Sequence, residues 1–360
     1  MSSETEKVSN SNLSREEPAG KTPGTGSGSE SVKGKSGFSA VRAAVRAVKW
    51  ALLVFCLVWL YLKVDWRAAG AAIVALPVLP FLLVSLQRLV PYIGLGLRLN
   101  VITESKAGLL RCTQSEVLCL AFNSLLPARM GELVKILYLC ASSKLEVLSL
   151  LGKVFFERLV DVTALFLIVF CAASFFLERE AVVAMLAALA VLWAVFAALM
   201  LSGKMGFLRK RLRRLMKLAE ALRDALRPLM NRKSLGFVAL WTAFIWLMNL
   251  THLTLVCNWL FHFNLGFGGL GLVCAAVFMS SAFSAAPGGI GVMESAVVFV
   301  LSSMGKDAAQ AAAAALVIRF LYIVPPVALS AVVIAASPDG ASFLKDLRPR
   351  LKSMWNDIRQ

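Results

Sequence analysis

Apolar residues gather along this chain in runs of spanning length, at 48–64, 68–90, 154–177, 181–202, 235–261 and 311–336. A helix needs about 20 residues to cross the hydrocarbon of a bilayer, so each run is read as a transmembrane helix. Two more apolar stretches do not read as simple spans. Residues 115–140 are interrupted by Pro127 and carry Asn123, Arg129, Glu132 and Lys135, and residues 270–303 are interrupted by Pro287, Gly288, Gly289 and Gly291. Residues 1–37 are Ser, Gly, Lys and Glu with almost nothing to bury and are expected to be disordered. The first run follows Arg42, Arg46 and Lys49 but has no small-residue cleavage site, which marks a retained anchor rather than a leader.

Composition agrees with the pattern. Hydrophobic residues make up 59% of the 360 positions and charged residues 16%, and the mean hydropathy is +0.75. A soluble reading is excluded. The formal charge of +17 would suggest nucleic acid in a soluble chain; in a membrane chain it records an anionic leaflet and the sidedness of loops. Seven cysteines are scattered without a CxxC pair and only His252 and His262 occur, so neither a disulfide framework, a multi-histidine metal centre nor a haem pair is expected.

Charge also orients the chain. Between Lys204 and Lys233 there are 11 Lys plus Arg against Glu220 and Asp224, which places that connection in the cytoplasm. Leu208, Leu212, Leu215, Leu222, Leu226 and Leu229 give segment 203–233 one apolar stripe, as on a helix lying along an anionic surface. The basic stretch before residue 48 and the basic tail 337–360 fall on the same side, so the number of crossings is even. Six spans satisfy this if 115–140 and 270–303 are re-entrant hairpins. The first opens towards Arg98, Lys106, Arg111, Lys144 and Lys153, and the second opens on the opposite face. Two ordinary spans in their place also keep the parity, but leave the hairpin flanks mismatched. The expected fold is therefore an all-α polytopic membrane protein of six transmembrane helices plus two re-entrant helical hairpins.

This layout contains an inverted repeat, with halves 48–177 and 181–336. Pro127, Gly131 and Glu132 in the first half are answered by Pro287, Gly291 and Glu294 in the second. Arg158 follows the first proline by 31 residues, and Arg319 follows the second by 32. Paired Gly/Pro-interrupted segments in an inverted repeat point to a transporter's binding site. A charge at bilayer depth costs roughly 2.5–3.5 kcal/mol, so Glu294 and Arg319 must be paired or face water. Glu157, Arg158 and Asp161 share one helix flank, where Arg158 neutralises one carboxylate and the other calls for a cation such as Arg129 or Lys135, or a basic substrate group. The same residues also suit a network that only locks a hairpin to its neighbour. Each broken hairpin exposes backbone groups and aims a positive helix N-terminus at the break, a place that suits phosphate, with Arg129 and Arg319 as forked donors.

Three motifs carry a resemblance: Asn123-Ser-Leu-Leu-Pro127-Ala-Arg129-Met-Gly131-Glu132, Phe156-Glu157-Arg158-Leu-Val-Asp161 and Pro287-Gly288-Gly289-Ile-Gly291-Val-Met-Glu294. In this order, over residues 48–336, they resemble the flippase-like membrane family typified by the transmembrane region of lysylphosphatidylglycerol synthases. The resemblance implies a bundle that moves a lipid with a modified headgroup between leaflets, with the residues of these motifs at its working site. Lys135 stands where the family often has Arg, and Met293 where a basic residue is common, which points to a different headgroup. The soluble aminoacyl-transfer domain is missing from the sequence.

The resulting expectation is a translocase without catalysis or cofactor in the cytoplasmic membrane, both termini inside. It would hold an anionic or phosphate-bearing lipid through Arg129, Arg158 or Arg319, with Glu132, Glu157, Asp161 and Glu294 balancing charge. Two alternatives stand beside it: a membrane transferase with Glu132 or Glu157 as general base, and a non-transporting partner of a lipid-synthesising enzyme.

Overall fold

The computed structural model describes residues 54–126, 130–143, 145–174, 189–195, 226–283 and 290–336, with isolated positions at 51, 183, 186, 187, 223, 224 and 349. Among these residues the chain is helical and contains no strand. In chain order the helices are α1 (Val54–Lys63), α2 (Trp66–Val74), α3 (Val78–Gln87), α4 (Val90–Ile102), α5 (Leu109–Leu125), α6 (Gly131–Ser143) and α7 (Val147–Ala173). They continue with α8 (Arg232–Thr254), α9 (Phe267–Phe283), α10 (Val292–Ser303) and α11 (Ala308–Ala336). A π-helical turn, Leu255–Leu260, extends α8. Among the described residues, three stretches are long and apolar enough to cross a membrane: Val78–Ile102, Arg232–Leu260 and Ala308–Ala336.

Local chemistry sets several boundaries. Asp65 caps α2 by accepting from the Arg67 and Ala68 amides at 2.9 and 3.1 Å, and Asn231 caps α8 by accepting from the Ser234 amide at 2.8 Å. Both satisfy donors that a helix start leaves without partners. Gly108 starts α5 at φ +78°, a conformation open to glycine without steric cost.

The expected span 68–90 is not one helix. Ala75, Leu76 and Pro77 separate α2 from α3, because a proline restricts the residue before it and cannot continue a helical ladder. The long apolar stretch instead runs on to Ile102, and this shift moves Arg98 from a flank into a helix. The expected 154–177 begins about two turns earlier, at Val147, and is described to Ser174. The last two expected spans agree with α8 plus its π turn and with α11, within three residues at each end. Of 181–202, residues 189–195 are described and helical. Most of 203–233 and all of 1–37 lie outside the described residues, as does 337–360 apart from residue 349.

Each stretch expected to be interrupted is a pair of short helices. Helices α5 and α6 pack antiparallel, since Gly131 lies against Cys119 and Asn123, Lys135 meets Glu116 and Tyr138 meets Gln114. With 13 residues, α6 is about 20 Å long and cannot cross the hydrocarbon alone. Helix α10, with 12 residues, is shorter still. Pro127 and Arg129, like Pro287, Gly288 and Gly289, lie outside the described residues.

The helices pack around three apolar clusters. The largest joins α8–α11 to α1–α3, through residues such as Leu253, Val273, Val297, Ile318, Leu60 and Val84. A second joins α4–α7 through Leu99, Leu118, Ile136 and Leu150. Helices α4 and α8 run antiparallel and approach closely at Gly94, where a Cβ would come within 3.0 Å of the Phe244 ring and the Ile245 side chain. Such a crossing needs a residue without a side chain.

Candidate functional site

The charged residues of α4–α7 converge on one network. Lys135, fully buried on α6, donates to Glu116 of α5 at 3.0 Å and to Glu157 of α7 at 2.8 Å, with Glu132 one turn back at 3.4 Å. Glu157 also accepts from Arg98 of α4 at 2.7 Å and from Arg158 at 2.8 Å. Arg98 is fully buried and pairs with Asp161 as well (Nη2···Oδ2 3.2 Å). Arg158 closes the circuit with Asp161 at 3.2 Å and Glu132 at 3.5 Å.

Burial divides this network in two. Arg98, Glu116, Lys135 and Glu157 are at most 1% exposed. The side chains of Asp161, Glu132 and Arg158 are 17%, 20% and 37% exposed, which leaves the network open at one edge. Four carboxylates face three cations, an excess of one negative charge among the described residues. Buried charges need such mutual pairing, because removing one partner strands the other in a medium that cannot solvate it.

Backbone geometry ties the network to the interrupted segment. Asn123 on α5 accepts from the Gly131 amide at 2.9 Å, so its side chain spans the connection between α5 and α6. A Cβ at Gly131 would collide with the Cys119 carbonyl, which is why the two helices approach so closely there. Glycine is required by packing at this position, not by φ.

The second half repeats the chemistry in smaller form. Glu294 in the first turn of α10 accepts from the Gly291 amide at 2.9 Å and from Arg319 Nη2 of α11 at 2.9 Å. Gly291 has φ +84°. Thus the glutamate of each interrupted motif pairs with an arginine on the next helix, Glu132 with Arg158 and Glu294 with Arg319.

Asn123, Gly131, Glu132, Lys135, Glu157, Arg158 and Asp161 therefore come together in one place, and Gly291, Glu294 and Arg319 in another. Arg98 and Glu116 were not among the candidate ligands. A second span ending at residue 90 makes Arg98 a flanking charge, whereas the structure buries it within α4. Glu116, one residue inside 115–140, was open to the same rule that selected Glu132, but its position at the edge of the apolar stretch disguised its burial. Among the described residues no group of three or more His, Cys, Asp or Glu side chains is arranged to hold a metal ion.

Long apolar helices around a buried ionic network define an α-helical, polytopic membrane protein. Residues 46–330 match the family described as the lysylphosphatidylglycerol synthase TM region, and the chain belongs to that family. No curated protein matches the chain.

Proposed function

We propose that the protein is a lipid translocase, moving a phospholipid or polyprenyl-linked lipid between the leaflets of the cell membrane, with both termini cytoplasmic and no catalysis of its own. Membership of a family of synthase transmembrane regions supports a role in membrane-lipid biology. The observation that carries the finer reading is the open edge of the α4–α7 network. Arg158 is the most exposed cation of a paired network with surplus negative charge among the described residues, beside Glu132 in the first turn of α6. A headgroup can exchange ion pairs at such an edge while its tails remain in hydrocarbon. The fully buried members keep the carboxylates in place as the pairing changes.

The six-span, two-hairpin inverted repeat belongs to the same proposal. Short paired helices α5–α6 and α9–α10, with corresponding Glu–Arg pairs, support it. Alternating access would then come from one repeat rocking against the other.

Reconstitution into liposomes carrying fluorescent phospholipids in one leaflet tests the reading. The folded protein is expected to accelerate equilibration between leaflets. No acceleration with any anionic, zwitterionic or aminoacylated lipid would remove it.

A further inference from the structure

The break between α3 and α4 places another charge deep in a spanning stretch. Pro91 has no N–H for the Gln87 carbonyl, and the backbone tightens, with the Leu89 amide bonding Leu86 O at 3.0 Å. Arg88 sits at this break and is 5% exposed. It stands ten residues into the 25-residue stretch Val78–Ile102, about 15 Å from its start and so near mid-depth.

The surroundings of Arg88 differ in kind from the α4–α7 network. Nη1 donates to Asn249 Oδ1 of α8 at 3.0 Å, and the guanidinium lies 3.9 Å from the Tyr322 ring centroid and 5.8 Å from that of Tyr92. No carboxylate pairs with it among the described residues. Arg88 Nε, Tyr92 Oη and His252 Nε2 are buried and have no hydrogen-bond partner among the described residues. His252 is fixed by Gln87, whose amide nitrogen donates to Met248 O at 3.0 Å and whose Oε1 therefore accepts from His252 Nδ1 at 3.0 Å.

Aromatic faces and one neutral amide oxygen soften a buried guanidinium but do not neutralise it. An anion does, and a planar fork with a free Nε–H suits phosphoryl oxygens better than a point charge would. The Tyr92 hydroxyl supplies a further donor. We infer that Arg88, framed by Tyr92, Asn249, His252 and Tyr322, is a mid-membrane binding site for a phosphoryl anion.

The α4–α8 packing sets this site beside the network in an ordered way. Arg98 lies ten residues beyond Arg88 and meets Thr242 at 3.3 Å, while Arg88 meets Asn249, two turns further along α8. At one level of α4, Arg98 therefore meets the carboxylates of α7, and about 15 Å away Arg88 has no carboxylate partner among the described residues. The lipid source rests on the translocase reading; the anion site does not.

The full chain, purified in an uncharged detergent, is heated with dihexanoylphosphatidylglycerol, inorganic phosphate or phosphate-free dihexanoylglycerol. A saturable rise in unfolding temperature is expected with the phosphatidylglycerol and not with dihexanoylglycerol. Arg88→Gln is expected to weaken that response by about tenfold or more, the scale of one charge-assisted bond. Asn249→Asp sets a carboxylate against Arg88 and should abolish the response while raising the unfolding temperature without ligand, so the test survives if Arg88→Gln does not fold. Protection by phosphatidylglycerol alone identifies a lipid phosphate; protection by inorganic phosphate too identifies the phosphoryl group itself. Equal protection of wild type and either variant, protection by dihexanoylglycerol, or none by any ligand overturns the site. Failure of liposome translocation with protection intact would remove the translocase reading and leave the site standing.

Discussion

Arg98 on α4 and Glu157 on α7 meet at 2.7 Å with both side chains fully buried. They join a helix before the interrupted α5–α6 pair to the helix after it. Truncating Arg98 leaves Glu157 one cation short at a depth that water does not reach.

Arg98→Gln is therefore expected to destabilise the protein by about 3–5 kcal/mol, the usual scale for breaking a buried pair from one side. Reversible unfolding of detergent-solubilised protein measures it. Arg98→Gln combined with Glu157→Gln should cost less than the sum of the two single changes, because neither charge is then stranded. Strict additivity would show that the pair is not coupled.

Arg158→Lys should separate function from folding. It keeps the positive charge that faces Glu132, Glu157 and Asp161 but removes the guanidinium fork at the exposed edge, so the unfolding temperature is expected to stay within a few degrees of wild type. Lipid equilibration in liposomes should slow by roughly tenfold, the loss of about one charge-assisted contact. Unchanged transport would move the headgroup contact elsewhere.

Gly291→Ala tests the start of α10. At φ +84° a side chain is strained, which costs about 1–2 kcal/mol. Hydrogen exchange at the first amides of α10 should quicken. Glu294→Ala should quicken it further, since that carboxylate both caps the Gly291 amide and pairs with Arg319.

Gly131→Ala should be worse than a helix-propensity scale implies. Alanine favours helix, but its methyl would collide with the Cys119 carbonyl. A loss of about 1–3 kcal/mol, typical of overpacking, is expected. A more stable variant would contradict the close α5–α6 approach.

Glu104 provides a pH dependence outside the spanning stretches. Partial burial pushes its carboxyl up, but bonds to Lys153 and Lys106 at 2.9 and 3.0 Å outweigh it and hold the group below its ordinary value. A depressed folded-state value contributes stability above the unfolded pKa and loses it as pH falls through the folded one. Glu104→Gln should therefore unfold at a lower temperature than wild type near neutral pH, and the difference should shrink as pH drops below about 4. A difference that grows on acidification would reverse the sign of the coupling.

What the sequence settled was the solvent and the parts. Runs of apolar residues longer than a bilayer is thick cannot belong to a soluble domain, and a proline with glycines inside such a run must break its ladder. Motif spacing pointed to Glu132, Lys135, Glu157, Arg158 and Asp161, which do meet. Depth was another matter. Hydropathy shows that a stretch is apolar but not where within it the helix restarts, and placing the second span at 68–90 put Arg88 and Arg98 at a boundary. Restarting after Pro77 carries both inside. Only the packing of α4 against α7 and α8 then assigned their partners, acid for Arg98 and the neutral Asn249 amide for Arg88. Which charges neutralise one another depends on distances of a few ångströms between residues about 60 to 160 positions apart in Arg98–Glu157 and Arg88–Asn249, and no local pattern encodes those distances.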